Sequence, residues 1–367
     1  MGNKKKLAVI GASSGQLSIV RKAREMGIHT VCFAWDKGAV CKKECDEFYP
    51  ISIFDIDDIT AECKRLGVDG VVSTASEETA AVVAEVASRL GLNGTPPEVL
   101  RRIQHKDEVR RLTQHLECLV SPRVWTPEQR GEIVFPCIVK PVKGSAKRGV
   151  SYCETGADLD DALRYAAASG QDVMIEEFIP GPELAIENLS YHGRHKVIQI
   201  TRKVNSGIPH FVEMELHQSP EIWAANHTVA QKAVSAILDA VGFTDGASHI
   251  EMKIRGDKAC LIEINPRGAG DRTDTLISLS TDFNYIEGMI DIALDKYKET
   301  PVVHNGYSGI LFLTAQTSRL MKYFDDKEYD WLVERRRLTS GPELTESTGN
   351  YERDGYIIYQ STKTLDL

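Results

Sequence analysis

The chain has 367 residues, 42% hydrophobic and 26% charged, which is the balance of a folded globular protein and excludes disorder or a low-complexity fibre. Its 44 basic and 53 acidic residues leave a formal charge of −9, which argues against non-specific nucleic-acid binding, because that needs lysine and arginine to neutralise phosphates. No apolar run approaches the ~18 residues of a membrane helix, and Leu7–Ile10 is shorter than the ~7–15 residues of a secretory core. A cytoplasmic chain of roughly two to three domains is expected.

Strand and helix alternate over residues 1–95. Leu7–Ile10 is a strand ending in Gly11-Ala12-Ser13-Ser14-Gly15-Gln16, and a helix with Leu17, Val20 and Ala23 follows, stopped by Gly27. Thr30–Ala34 is the next strand. Ile59, Cys63 and Leu66 space a helix that ends at Gly67. Val68–Ser73 is a third strand, and Ala80–Leu90 a third helix closed by Gly91. This alternation predicts right-handed βαβ units around a parallel sheet. Gly94-Thr95-Pro96-Pro97 punctuates the chain. After two further helices, short strands appear from Val134, with helices at Asp158–Ala168 and Ala225–Val241, the pattern of an α+β region. Residues beyond about 301 form another mixed segment ending in the strand-like Tyr356–Tyr359. The eight cysteines are scattered without a C-x-x-C and are expected as reduced thiols.

Four segments carry chemistry. Gly11 to Gln16 opens a helix after a strand, where free backbone N–H groups can meet an anion. The dinucleotide fingerprint wants glycine where Ser13 and Gln16 stand, so a tight turn is the plainer expectation. The second segment runs from Ile138 through Lys140 to Val150. An apolar strand delivers Lys140, and Gly144 to Gly149 then form a cationic loop whose glycines let the backbone approach a phosphate. In the third, two strands flank Pro180-Gly181-Pro182, so backbone groups near Ile179 can pair with an adenine edge and Glu183 with a ribose hydroxyl.

The fourth, His249 to Arg267, reads as a hairpin in which register decides the chemistry. A two-residue turn at Gly256-Asp257 pairs Glu251 with Ile262 and puts Glu251 and Glu263 on opposite faces. A three-residue loop pairs Glu251 with Glu263 on one face. Two such carboxylates repel unless a divalent cation joins them, and Asn265 shares the face of Glu263 by the two-residue period. These oxygen donors suit Mg²⁺ or Mn²⁺.

Taken together and in this order, the segments resemble the ATP-grasp superfamily over about residues 5–300, closest to its carboxylate–amine ligase branch, which includes L-amino acid ligases. The resemblance implies a Rossmann-like N-terminal domain over 1–97, linker helices and a small lid over 98–175, a metal-binding lobe over 176–300 and a mixed α/β extension over 301–367. It implies ATP and Mg²⁺ (or Mn²⁺) as cofactors. Lys106 and Lys140 become nucleotide-binding lysines, with Gly144, Ser145, Lys147 and Gly149 in the phosphate loop. Glu176, Phe178 and Ile179 become the adenine hinge, and Glu183 the ribose ligand. Glu251, Glu263 and Asn265 become the metal ligands, and Arg267 the arginine beside the γ-phosphate. Glu78, Glu213, His217 and Arg272 are the candidate substrate contacts.

The implied reaction is ATP-dependent activation of a small carboxylate as an acyl phosphate, followed by attack of an amine. The expected partners are those two small molecules, with no nucleic acid or membrane, in a homodimer. The alternatives are a bicarbonate-activating carboxylase or carbamoyl-phosphate-type enzyme, a nicotinamide-dependent oxidoreductase using Gly11 to Gln16, and a nucleotide-binding regulatory module.

Overall fold

The computed structural model describes residues 4–74, 76–144, 147–208, 210–325, 327–341, 343–350, 352–365 and 367. Ser145 lies outside them.

The N-terminal strands β1 (Lys6–Ile10), β2 (His29–Phe33), β3 (Glu47–Tyr49) and β4 (Gly70–Val72) form a parallel sheet in the order β3-β2-β1-β4. Strand alternation sends Ala8, Ile10, Val31 and Phe33 to one core with helices α2 (Ile56–Leu66) and α3 (Glu77–Leu90). Leu7, Val9 and Cys32 go to the other face, against helix α1 (Leu17–Glu25). Both faces are covered, which is why these strands read as continuous apolar runs. Gly67 and Gly91 cap α2 and α3 at φ 63° and 66°, the left-handed end that glycine adopts without a Cβ penalty.

Helices α4 (Pro97–Ile103) and α5 (Lys106–Thr113) lead to a second, antiparallel sheet. Its strands are β5 (Val124–Trp125), β6 (Cys137–Pro141), β7 (Ser151–Cys153) and β8 (Val173–Glu177), in the order β5-β8-β6-β7. Helix α6 (Leu159–Ala167) closes its core with Leu159, Ala162 and Ala166.

The third sheet has eight strands. They are β9 (Glu183–Tyr191), β10 (Arg194–Asn205), β11 (Glu213–Gln218), β12 (Gly246–Arg255), β13 (Lys258–Asn265), β14 (Tyr307–Leu313), β15 (Leu332–Arg337) and β16 (Gly355–Ser361), in the order β13-β12-β9-β10-β11-β14-β16-β15. Helix α7 (Pro220–Val241) buries Val234, Ile237, Leu238 and Val241 against Ile186, Ile200, Ile250 and Ile264 on one face. It starts five residues before the expected Ala225. Ser219 Oγ accepts the Ile222 N–H at 3.2 Å and Pro220 takes the first turn, where its missing N–H costs nothing. Helices α8 (Thr273–Ser280) and α9 (Tyr285–Ala293) cover part of the opposite face. The stretch 301–367 is continuous with this sheet, because β14 pairs with β11.

The β12–β13 hairpin combines both registers considered from sequence. Its turn has two residues, with Arg255 opposite Lys258. A bulge then skips Ile262, so Glu251 faces Glu263 and His249 faces Asn265. The extra residue resets the phase and puts both carboxylates on the face away from α7.

Candidate active site

The second and third sheets enclose a cleft of about 270 Å³. At its floor β6 delivers Lys140, β8 delivers Glu176 and the second turn of α5 delivers Arg110. Glu176 bonds Arg110 Nε at 2.6 Å and pairs with Lys140 Nζ at 2.5 Å, and all three residues are buried. Burial alone would raise the Glu176 pKa, but Arg110 and then Lys140 outweigh it and hold the carboxyl at about 2. Burial also pushes Lys140 down, against the pull of Glu176. Arg110 donates a further bond to the Ile262 carbonyl at 2.8 Å, tying the floor to the bulged residue of β13.

One turn before Arg110, Lys106 reaches across the cleft. Its ammonium donates to the Gly144 carbonyl at 2.7 Å and pairs with Glu263 at 2.9 Å. Gly149 has φ 75°, and a Cβ there would lie 2.8 Å from Pro141 Cγ, so the loop's return to β7 demands glycine. Lys147 bonds the Phe211 carbonyl at 2.6 Å. Phe211, Phe178 and Tyr152 make an aromatic wall with ring centroids 5.1–6.3 Å apart. Lys253 lies over the Phe178 ring and donates to the Ile179 carbonyl at 2.6 Å. The Phe178 N–H bonds the Pro136 carbonyl, whereas among the described residues the Ile179 N–H has no partner.

Beyond the wall the sheet face is acidic with a buried lysine at its centre. Lys203 Nζ lies 2.7 Å from Glu183, 2.6 Å from Glu213 and 2.7 Å from Glu251. Burial opposes its charge, but Glu251 and then the other two carboxylates hold the Lys203 pKa well above the ordinary lysine range. His249 stands between Glu187 at 2.5 Å and Glu251 at 3.4 Å, and these carboxylates overcome burial and raise its pKa to about 9.

This face continues into a cavity of about 460 Å³ reaching α3. Glu77, Glu78, Lys203, His249, Asn265, Arg267 and Asp271 line it. Burial and then the nearby Glu263 raise the Glu77 pKa. Ser76 Oγ donates to Glu78 at 2.6 Å and lowers that of Glu78. Arg267 Nη1 donates to the Gly268 carbonyl, and its Nε is buried without a partner among the described residues.

Residues 133–275 match the family described as the ATP-grasp domain. This match spans 143 of the 367 residues, and over them the chain is similar to ATP-grasp proteins. It is 26% identical over 301 residues to an uncharacterised protein of Sinorhizobium fredii, a match covering 76% of this chain and 61% of the relative. It is 24% identical over 293 residues to the formate-dependent phosphoribosylglycinamide formyltransferase of Proteus mirabilis, covering 75% and 71%. The chain thus spans less than two thirds of the first relative's length. The fold is similar to that of the L-amino acid ligase from Bacillus licheniformis, with TM-score 0.79, 20% identity and coverage of 99% of this chain and 95% of that one.

The cleft brings together Lys106, Lys140, Gly144, Lys147, Glu176, Phe178, Ile179, Glu183, Glu251 and Glu263. Asn265, Arg267, Glu78 and Glu213 join it through the adjoining cavity. Several expectations change. The Glu176 side chain is a buried counter-ion to Arg110 and Lys140, and its backbone is paired with β5 and β6, which takes Glu176 out of the hinge role. Glu183 keeps its place in the cleft, meeting Lys203 through Oε1 with Oε2 outside that pair. His217 is turned away from both cavities and bonds Tyr359 OH at 2.9 Å and Glu215 at 2.8 Å. Unbroken alternation along β11 would put it on the face of Glu213, but a β-bulge opposite Val204 and Asn205 turns Glu213 to the Lys203 face and leaves His217 on the other. Arg272 lies outside both cavities in a salt bridge with Glu334 at 2.9 Å. The Gly11–Gln16 turn is filled by its own side chains. Gln16 Oε1 accepts from Ser13 N–H and Oγ–H, and Gln16 Nε2 donates to the Thr74 carbonyl, which removes the anion site a nicotinamide reading needs.

Arg110, Lys203, His249 and Glu77 were not singled out from sequence. Arg110 carried a usable signal, being on the apolar face of α5 beside Val109 and Thr113. Lys203 and Glu77 acquire their surroundings from distant segments, and His249 adds Glu187 from β9 to the Glu251 two residues on.

Proposed function

We propose that this chain activates a small carboxylate with ATP as an acyl phosphate and joins it to an amine, releasing ADP and phosphate. The observation that carries this is one arrangement of charge. Lys106, Lys140 and Lys147 converge from a helix, a strand and a loop on the cleft that Glu251, Glu263 and Asn265 face from the opposite sheet.

The donor set fits a divalent cation. Both contacts of Glu251, to Lys203 and His249, fall on Oε1, and Glu263 meets Lys106 through Oε1, so each carboxylate keeps Oε2. With the Asn265 carbonyl two residues from Glu263, these are hard oxygen ligands. Mg²⁺ held there would neutralise charge on the phosphates. Against the aromatic wall, the Ile179 N–H serves an adenine edge and Glu183 the ribose. Lys106, Lys140 and the loop backbone of Gly144 to Gly149 hold the phosphates.

Two anions must meet for phosphoryl transfer, and cations fixed in advance remove that repulsion without reorganisation. Arg267, with its unpartnered Nε, holds the carboxylate or the acyl phosphate formed from it. Glu78 and Glu213 border the cavity in which the amine approaches. The names of the formyltransferase and L-amino acid ligase support a carboxylate substrate. The same reading keeps 1–97 as a Rossmann-like N-terminal domain and 98–175 as linker helices and a small lid, in a cytoplasmic enzyme.

The test is an ADP-release screen over paired amino acids and small carboxylates, bicarbonate included, with mass spectrometry of products. A carboxylate-dependent signal with an amide product is expected, and Glu263→Gln should reduce it at least 100-fold, by the ~3 kcal/mol lost with one transition-state contact. Undiminished turnover in Glu263→Gln overturns the metal assignment.

A further inference from the structure

The β6–β7 hairpin holds a feature that the nucleotide chemistry does not use. Cys137 on β6 lies directly opposite Cys153 on β7 in antiparallel register. Both are wholly buried, in one core with Leu159, Ala162 and Ala166 of α6. Directly opposed residues have Cα atoms about 4.5–5.5 Å apart and side chains on the same face. A disulfide spans Cα separations of about 4.4–6.8 Å. Among the described residues no other two cysteines oppose each other across a strand ladder. We propose that Cys137 and Cys153 are a modification site, a thiol pair that a low-molecular-weight disulfide such as oxidised glutathione converts to a cross-strand disulfide.

The position gives the bond a consequence. β7 is an edge strand of three residues that, among the described residues, pairs only with β6. It receives the chain as it returns from the loop carrying Lys147 and Gly149. Reduced, three residue pairs hold that return. Oxidised, a covalent link fixes β7 to the strand that bears Lys140.

Access comes through the edge. Burial raises both thiols, Cys137 to about 12, so neither reacts while enclosed, and Cys153, on the three-residue edge strand, is the one uncovered to attack when that strand opens. Its thiolate attacks one sulfur of glutathione disulfide, forming a mixed disulfide and expelling one glutathione thiolate. The Cys137 thiolate then attacks the Cys153 sulfur and expels the second. Two protein thiols are oxidised, one small disulfide is reduced, and the two protons end on glutathione.

The test uses the full chain, incubated with oxidised glutathione at mildly alkaline pH, both in buffer and in urea below the unfolding transition. Peptides are then mapped without reduction. A Cys137–Cys153 linked peptide that dithiothreitol abolishes is expected, with slower hydrogen exchange in residues 151–153 of the oxidised protein. Free thiols at both positions in sub-denaturing urea overturn the proposal. So does a stable glutathione adduct that never resolves to the link, or a link confined to other cysteines such as Cys32 and Cys45. Mapping the wild-type chain makes the outcome independent of how well Cys153→Ser folds. The result does not depend on whether the cleft binds ATP.

Discussion

At the residue scale the chain concentrates its electrostatic risk in two buried groups of charges. Glu176 is neutralised twice over, and removing one partner leaves a charge without water or counter-ion. Arg110→Met should therefore cost about 3–5 kcal/mol, measured by urea unfolding, because Lys140 alone would have to hold both carboxylate oxygens. Adding Glu176→Gln should return part of that loss.

His249 makes a separate prediction. Its pKa is raised from the ordinary 6.5 to about 9 by Glu187 and Glu251, so the folded chain binds the proton more tightly than the unfolded one. That contribution, on the order of 3 kcal/mol, is complete below pH 6.5 and is lost as pH rises through 9. His249→Gln should flatten the fall in stability across this window, which thermal melts at stepped pH would show. An unchanged slope would place the proton elsewhere.

At the element scale, turns and bulges set the phase of the side chains that meet in the cleft. The loop between β6 and β7 returns through Gly149 at φ 75°, beneath Pro141. Gly149→Ala should destabilise the chain by about 1–3 kcal/mol through overpacking and strain. It should also weaken nucleotide binding more than Gly131→Ala, where a Cβ meets nothing within 4 Å. Calorimetric titration with an ATP analogue compares the two. The helix α7 cap is a milder case. Ser219→Ala removes one hydrogen bond at the helix start and should cost about 1 kcal/mol, read from the unfolding midpoint.

At the scale of the whole molecule, the parallel N-terminal sheet is docked onto the eight-stranded sheet and α9 through a shared apolar core, close backbone contact and a few hydrogen bonds. Asn93 bonds Asp245 at 3.2 Å and the Ile292 carbonyl at 2.8 Å, and Thr95 Oγ donates to the Asp245 carbonyl at 2.8 Å. Gly70 on β4 runs so close to α9 that a Cβ would lie 2.4 Å from the Ala293 carbonyl oxygen. Gly70→Ala must push backbone from backbone. It should cost on the order of 2–3 kcal/mol and split the melting transition as the N-terminal unit loosens. A single transition at the wild-type temperature would show that the interface can yield.

The sequence by itself determined what local physics controls. The period of apolar residues and the glycine stops gave the alternation of the first ninety-odd residues, and Lys140, the glycine loop and the Glu263–Asn265 pair could be placed from neighbours within a few positions. Tertiary structure decided what depends on phase and on distant charge. A single bulge residue in β13 brings Glu251 opposite Glu263, and another in β11 separates Glu213 from His217. Arg110 turns Glu176 into a floor ion pair across 66 residues, and Lys203 gathers carboxylates from three strands. Side-chain direction reverses with each inserted residue, and Coulomb energy depends on separation in space, so neither quantity is written in the order of the residues alone.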